Sequence, residues 1–146
     1  MSARKSRHQL MQALVRGSTI YLGDPDVAHV DTELGELGRC LRLQPPKRQR
    51  LLQVMHASRA LDTLLSSILK SHGVQPAHGI GKMLHQLKGL PPAAQGYLDH
   101  KTSTAFVSAI AHKRNRYAHR ANAFPTSNQE VDRLVAEIHA CMAMIL

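Results

Sequence analysis

Residues 112–121 read HKRNRYAHRA: His112, Lys113, Arg114, Arg116, His119 and Arg120 fall within ten positions that contain no acidic residue. Like charges at this density repel one another, so the stretch calls for a polyanion or a reaction that relieves the repulsion. On a helix advancing about 100° per residue, Phe106, Val107, Ile110, Tyr117 and Ala121 share one stripe, and Arg114 falls inside it. A guanidinium in an apolar stripe needs an acceptor: a carboxylate, a phosphate or a partner chain. His112, Asn115, Arg116 and His119 line up on the opposite side at spacings of three and four, which puts Asn115 and His119 one turn apart. On a regular helix Arg114 and His119 diverge by about 140°. Pairing them requires that the helix end or distort near His119, or that a second chain complete the site. A solvated basic helix end, with Arg and His complementing the C-terminal dipole, is the simpler account of the charge alone.

Other motifs point to less chemistry. GIGK (Gly79–Lys82) lacks the glycine spacing, the Ser or Thr after the lysine and the preceding strand of a phosphate loop, and reads as a turn that starts a short helix. The ten histidines include no HExxH and no histidine pair beside a cysteine pair. His72, His78 and His85 surround one loop but make a poor metal site, so no metal and no cofactor is expected. No Ser or Cys stands in a nucleophile's sequence context. Cys40 and Cys141 lie far apart and read as two buried, reduced thiols of a cytoplasmic protein.

The elements that must position the basic stretch are all helical, since no segment alternates with the period of a half-buried strand. Spacing predicts a helix from about Arg4 to Arg16, with Leu10, Met11, Leu14 and Val15 on one side and Gly17 after it. Asp24 as N-cap and Pro25 at the first helical position open a second, carrying Val27, Val30, Leu34, Leu37 and Leu41 and ended by Gln44-Pro45-Pro46. The longest runs from about Lys47 to His72, with an apolar face of Leu51, Leu52, Met55, Leu61, Leu64, Leu65, Ile68 and Leu69 and Gly73 as its C-cap. A short piece follows around Lys82–Leu87, then a helix from about His100 to Ala121. The last helix opens on a capping box, Ser127 with Glu130, ahead of Val131, Leu134, Val135, Ile138, Cys141, Met142 and Ile145. The expected fold is an all-α, up-and-down bundle of four main helices plus short helical pieces.

Composition narrows the partners. A chain of 146 residues suits one domain with a real core, and 19 Lys plus Arg against 10 Asp plus Glu leave a formal charge of +9. Nucleic acid is the commonest reason for such an excess, ahead of an anionic membrane surface. Aromatics at 3% supply few base-stacking platforms. No run of about 18 apolar residues marks a transmembrane helix. The first 23 residues are Arg-rich and acid-free but lack a signal-peptide core, and their apolar spacing suits an ordinary helix.

RNRYAH, Arg114–His119, resembles the Rx4–6H signature of the HEPN family (higher eukaryotes and prokaryotes nucleotide-binding) in its RNxxxH form. In that family the motif sits on a small helical bundle, after a long helix and before a final one, and the order of elements here is the same. The resemblance covers residues 47–146, with 1–45 as an additional N-terminal helical hairpin within a single domain of 1–146. It implies a metal-independent endoribonuclease of toxin or antiviral-defence type, cleaving single-stranded RNA by 2′-OH attack. It also implies a homodimer whose two motifs share one cleft, with an antitoxin or defence-system partner. Carried onto this chain, His119 would be the acid/base residue, Arg114 would stabilise the scissile phosphate and Asn115 would orient either. Lys113, Arg116, Arg120 and His112 would hold the RNA backbone. The chain departs from one toxin subgroup, which has a tyrosine two residues after the motif histidine; Ala121 stands there, so regulation by modifying that tyrosine is not supported. A similar RN-aromatic-AH ending occurs in helical families resembling mannitol-operon repressors. A non-catalytic RNA-binding or regulatory module, or a partner-binding subunit of a defence complex, therefore stands as the alternative.

Overall fold

The computed structural model describes residues 4–18 and 24–146, and the N-terminal residues and the segment 19–23 lie outside that description. The described chain is helical throughout, with no strand among these residues: an all-α bundle. Its helices are α1 (Arg7–Gly17), α2 (Asp26–Arg39), α3 (Pro46–Ser71), α4 (Ile80–Leu87), α5 (His100–Phe106), α6 (His112–His119) and α7 (Asn128–Ile145). A 3-10 turn, Cys40–Arg42, follows α2, and a π-helical turn, Val107–Ala111, joins α5 to α6.

Most helix ends follow from local chemistry. The first helix starts at Arg7 rather than near Arg4, because Ser6 and Gln9 form a capping box in which the Gln9 side chain accepts the Ser6 N–H at 2.9 Å. Asp24 accepts the Asp26 N–H at 2.9 Å ahead of α2. Pro46 occupies the first turn of α3, where a missing N–H costs nothing. At the other end Gly73, at φ +73°, sends its N–H to the Lys70 carbonyl while Val74 N–H reaches Leu69, closing the helix with a left-handed residue. α4 begins at Ile80, two residues before the expected Lys82, with Gly79 at φ +102° as the loop residue before it. Ser127 accepts the Glu130 N–H at 3.1 Å, whereas Glu130 reaches back past it to the N–H and hydroxyl of Thr126.

α3 is the axis of the bundle: α2, α4, α6 and α7 pack on it, and α1 lies against α2 and α7. Leu61, Leu64, Leu65, Ile68 and Leu69 of α3 are fully buried, as are Met11, Leu34, Leu84, Ile138 and Met142 from the surrounding helices, all in one continuous core. Burying each such side chain contributes on the order of 2 kcal/mol. α1 approaches α2 closely at Gly38, where an added Cβ would meet the His8 ring at 2.5 Å. The expected stripe of α2 changes at its end: the tighter 3-10 turn buries Cys40 and leaves Leu41 51% exposed. Both cysteines are free and buried, and burial pushes the Cys40 thiol up to about 11 and the Cys141 thiol up to about 12. No helix among the described residues is long and apolar enough to cross a membrane.

Candidate functional site: a basic groove at the end of α6

The segment 100–119 is one continuous rod with a fault in it. Asp99 caps its start, accepting the Thr102 N–H at 2.7 Å, and the buried Ser103 hydroxyl donates to the Leu84 carbonyl at 2.9 Å, fastening α5 to α4. In the middle, His112 N–H bonds to the Val107 carbonyl five residues back. Such a turn holds one residue more than an α-helical turn, so the following helix is rotated relative to a regular continuation. Two neighbours, Ile110 and Ala111, are thereby both buried. Phe106, Ile110 and Tyr117 lie in the core and Val107 at its edge, as the stripe predicts. Ala121 does not: α6 ends at His119 and Ala121 is exposed in the turn beyond it.

That turn shapes the site. Arg120 leaves the helix in an extended conformation, and Asn122 takes a left-handed φ of 63°, which asparagine tolerates better than most residues. On the outer face His112, Asn115, Arg116, His119 and Arg120 line an open groove of about 420 Å³. All five are exposed. The groove thus gathers two imidazoles, two guanidiniums and a carboxamide, a donor-rich surface that fits a phosphate backbone. No carboxylate lines it.

The two remaining basic residues sit elsewhere. Lys113 and Arg114 are both half-buried and neither lines the groove. The Nε atom of Arg114 is buried and has no hydrogen-bond partner among the described residues, while one terminal nitrogen donates weakly to the Asn115 Oδ1 at 3.4 Å. Asp62, half-buried on α3, lies within its electrostatic reach but makes no ion pair or hydrogen bond with it. Burial pushes the Asp62 carboxyl above its usual range, and the nearby Arg114 offsets part of that rise. Within one chain, therefore, Arg114 and His119 point to different sides of α6, as a regular helix would have them.

Asp62 and the π turn are the two features that reading the motif alone misses. The turn leaves no mark in the residue pattern. Asp62 does leave one: it is the sole acidic residue between Glu36 and Asp99, set among the leucines of α3. Comparison with known proteins finds no family model, no curated protein and no solved structure that matches this chain.

Proposed function

We propose that the chain is a metal-independent endoribonuclease of the HEPN type, acting on single-stranded RNA in the cytoplasm as a two-fold dimer. One observation carries the reading: the gathering of His119, Asn115, Arg116, Arg120 and His112 in a single solvent-open, carboxylate-free groove at the end of the motif helix. In the reaction the 2′-OH of the nucleotide before the scissile bond loses its proton to an imidazole. Its oxygen attacks the adjacent phosphorus, and the 5′-oxygen of the next nucleotide leaves with a proton returned by an imidazole. The product ends are a 2′,3′-cyclic phosphate and a 5′-hydroxyl. His119 is assigned the proton transfer, since imidazole exchanges protons near neutral pH. Arg114 is assigned the negative charge that develops on the phosphorane, which a planar guanidinium meets with paired donors. Asn115 orients His119 or the phosphate, and Arg116, Arg120, His112 and Lys113 hold the backbone on either side.

Arg114 and His119 face different sides of one α6, so a second copy is invoked to bring the missing partner to each groove. The same observation favours a second reading, a non-catalytic RNA-binding module whose Arg114 serves the α3–α6 interface. Turnover separates the two. Purified chain is incubated with end-labelled RNA in excess EDTA beside its His119→Ala variant. Cleavage by the first and not the second supports the nuclease, whereas equal binding with no cleavage by either supports the module. A partner such as an antitoxin is compatible with both.

A further inference from the structure

We propose that Arg7 and His139 form a proton-sensitive latch, which ties the start of α1 to α7 while the imidazole is neutral and releases it when the imidazole takes up a proton. The Arg7 Nη1 atom lies 3.0 Å from the His139 Nδ1 atom. A guanidinium has donors and no acceptor, so this bond exists only when Nδ1 carries a lone pair. The contact therefore fixes His139 as the neutral tautomer protonated at Nε2. Protonation fills that lone pair: the hydrogen bond is lost, and two like charges stand at contact distance in its place. The imidazole is half-buried beside Leu10, Leu14 and Leu146, so water screens this repulsion less than at an open surface. Burial first, and then Arg7, hold the His139 imidazole below its usual range, in the direction that the geometry requires.

The groups around the latch do not offset the added proton. On α1 they are Arg7 itself and His8, whose Nδ1 lies 2.9 Å from the Ser6 hydroxyl. On α7, Asp132 lines a cavity with Arg7 and His8 but makes no ion pair among the described residues, and Arg133 and Glu137 project from other faces of that helix. The Leu146 carbonyl is engaged by the Gln95 side chain at 2.7 Å. Residues 1–3 and 19–23 carry no acidic or basic side chain. Farther along, α1 is held to α2 by Arg16 on Asp31 at 2.9 Å and by Gln12 on the Asp31 carbonyl at 3.2 Å, neither of which titrates near neutral pH. Release is thus confined to the α7 side: the first turns of α1 lift, baring Leu10 and Leu14, while its last turns stay on α2. Since the folded imidazole is the poorer base, opening is favoured as pH falls below the unfolded value near 6.5, by at most about tenfold per pH unit for one proton. None of these residues lines the α6 groove, and the latch does not depend on what that groove binds.

The test follows the full chain by NMR, the His139 Cε1–H signal being identified by its loss in His139→Asn. In the wild type that signal should titrate below about 6.5, and Arg7→Gln, which keeps a donor without the charge, should move its midpoint up. Hydrogen exchange then reads the opening. Between about pH 7.5 and about pH 5.5, and after correction for the intrinsic pH dependence of exchange, protection of the Leu10 and Met11 amides should fall by up to about 10-fold. Protection of the Leu34 amide on α2 should not change. His139→Asn, whose Oδ1 can accept from Arg7 but takes up no proton in this range, should keep the protection and abolish its fall. An equal fall in His139→Asn would place the sensitivity in another group and overturn the proposal. So would protection that stays constant while His139 titrates, Arg7 then having turned to Asp132. Should His139→Asn not fold, Arg7→Gln decides: a His139 midpoint that it leaves in place means that Arg7 does not hold the ring.

Discussion

Two imidazoles line the groove, His112 two turns before His119, and the roles assigned to them separate by mutation. His119→Ala should remove at least about 10²-fold of RNA cleavage, the contribution of a positioned acid/base group, with helicity by circular dichroism unchanged. His112→Ala should weaken RNA binding and leave the bound rate close to wild type. Equal loss of the bound rate from both substitutions would make them a general acid and general base within one groove, leaving Arg114 as the one group a second chain would supply. The products discriminate as well: 2′,3′-cyclic or 3′-phosphate ends follow from 2′-OH attack, and 5′-phosphate ends would refute it.

At the scale of the element, the groove works as a charged edge of α6. Arg116 and His119 sit in its last turn with Arg120 as the C-cap, where the helix dipole favours cations and offsets part of their mutual repulsion. On the proposed reading, RNA phosphates would relieve the rest. Binding should therefore weaken with salt, and removing Arg116 or Arg120 should lower the slope of log K against log salt by about 0.7 each. Lys113→Ala should lower it less, because that side chain is half-buried and off the groove. Fluorescence titrations at several salt concentrations measure all three. The caps give a second prediction for the elements. Hydrogen bonds from the Ser67 hydroxyl and the Asp26 N–H hold the Asp24 carboxyl below its usual value, and the Thr102 N–H does the same for Asp99. A depressed carboxylate stabilises the fold above its unfolded value, near 3.9, and that stabilisation is lost as pH falls through the folded value. Tm should thus drop below about pH 4, and the Asp24→Asn, Asp99→Asn double variant should show a shallower drop over the same window.

Across the whole molecule, a strongly basic chain with its guanidinium on one side of α6 and its imidazole on the other suits a shared cleft. Arg114→Ala and His119→Ala chains, each inactive alone, should recover activity when mixed, since a heterodimer holds one intact Arg114 and one intact His119. Sedimentation should give twice the chain mass of 16.1 kDa. An active species that sediments as a monomer would refute the shared cleft.

Helices and the groove's membership were legible because both are local. An i to i+4 hydrogen-bond pattern reads directly as apolar spacing, and Pro46, Gly73 and Ser127 act within one turn of themselves. His112, Asn115, Arg116 and His119 are neighbours on any helix that contains them, so their convergence needed no tertiary information. Tertiary packing decided what lies across from each face. It buried Cys40 in place of Leu41, set a π turn where Ile110 and Ala111 both enter the core, and ended α6 before Ala121. It also brought Asp62 of α3 within electrostatic reach of Arg114, two charges far apart along the chain. The sequence called for an acceptor for Arg114, because a charge in an apolar stripe cannot go unanswered. Only the packing of α6 on α3 brings a carboxylate within its electrostatic reach, since that depends on how two helices meet and not on either alone.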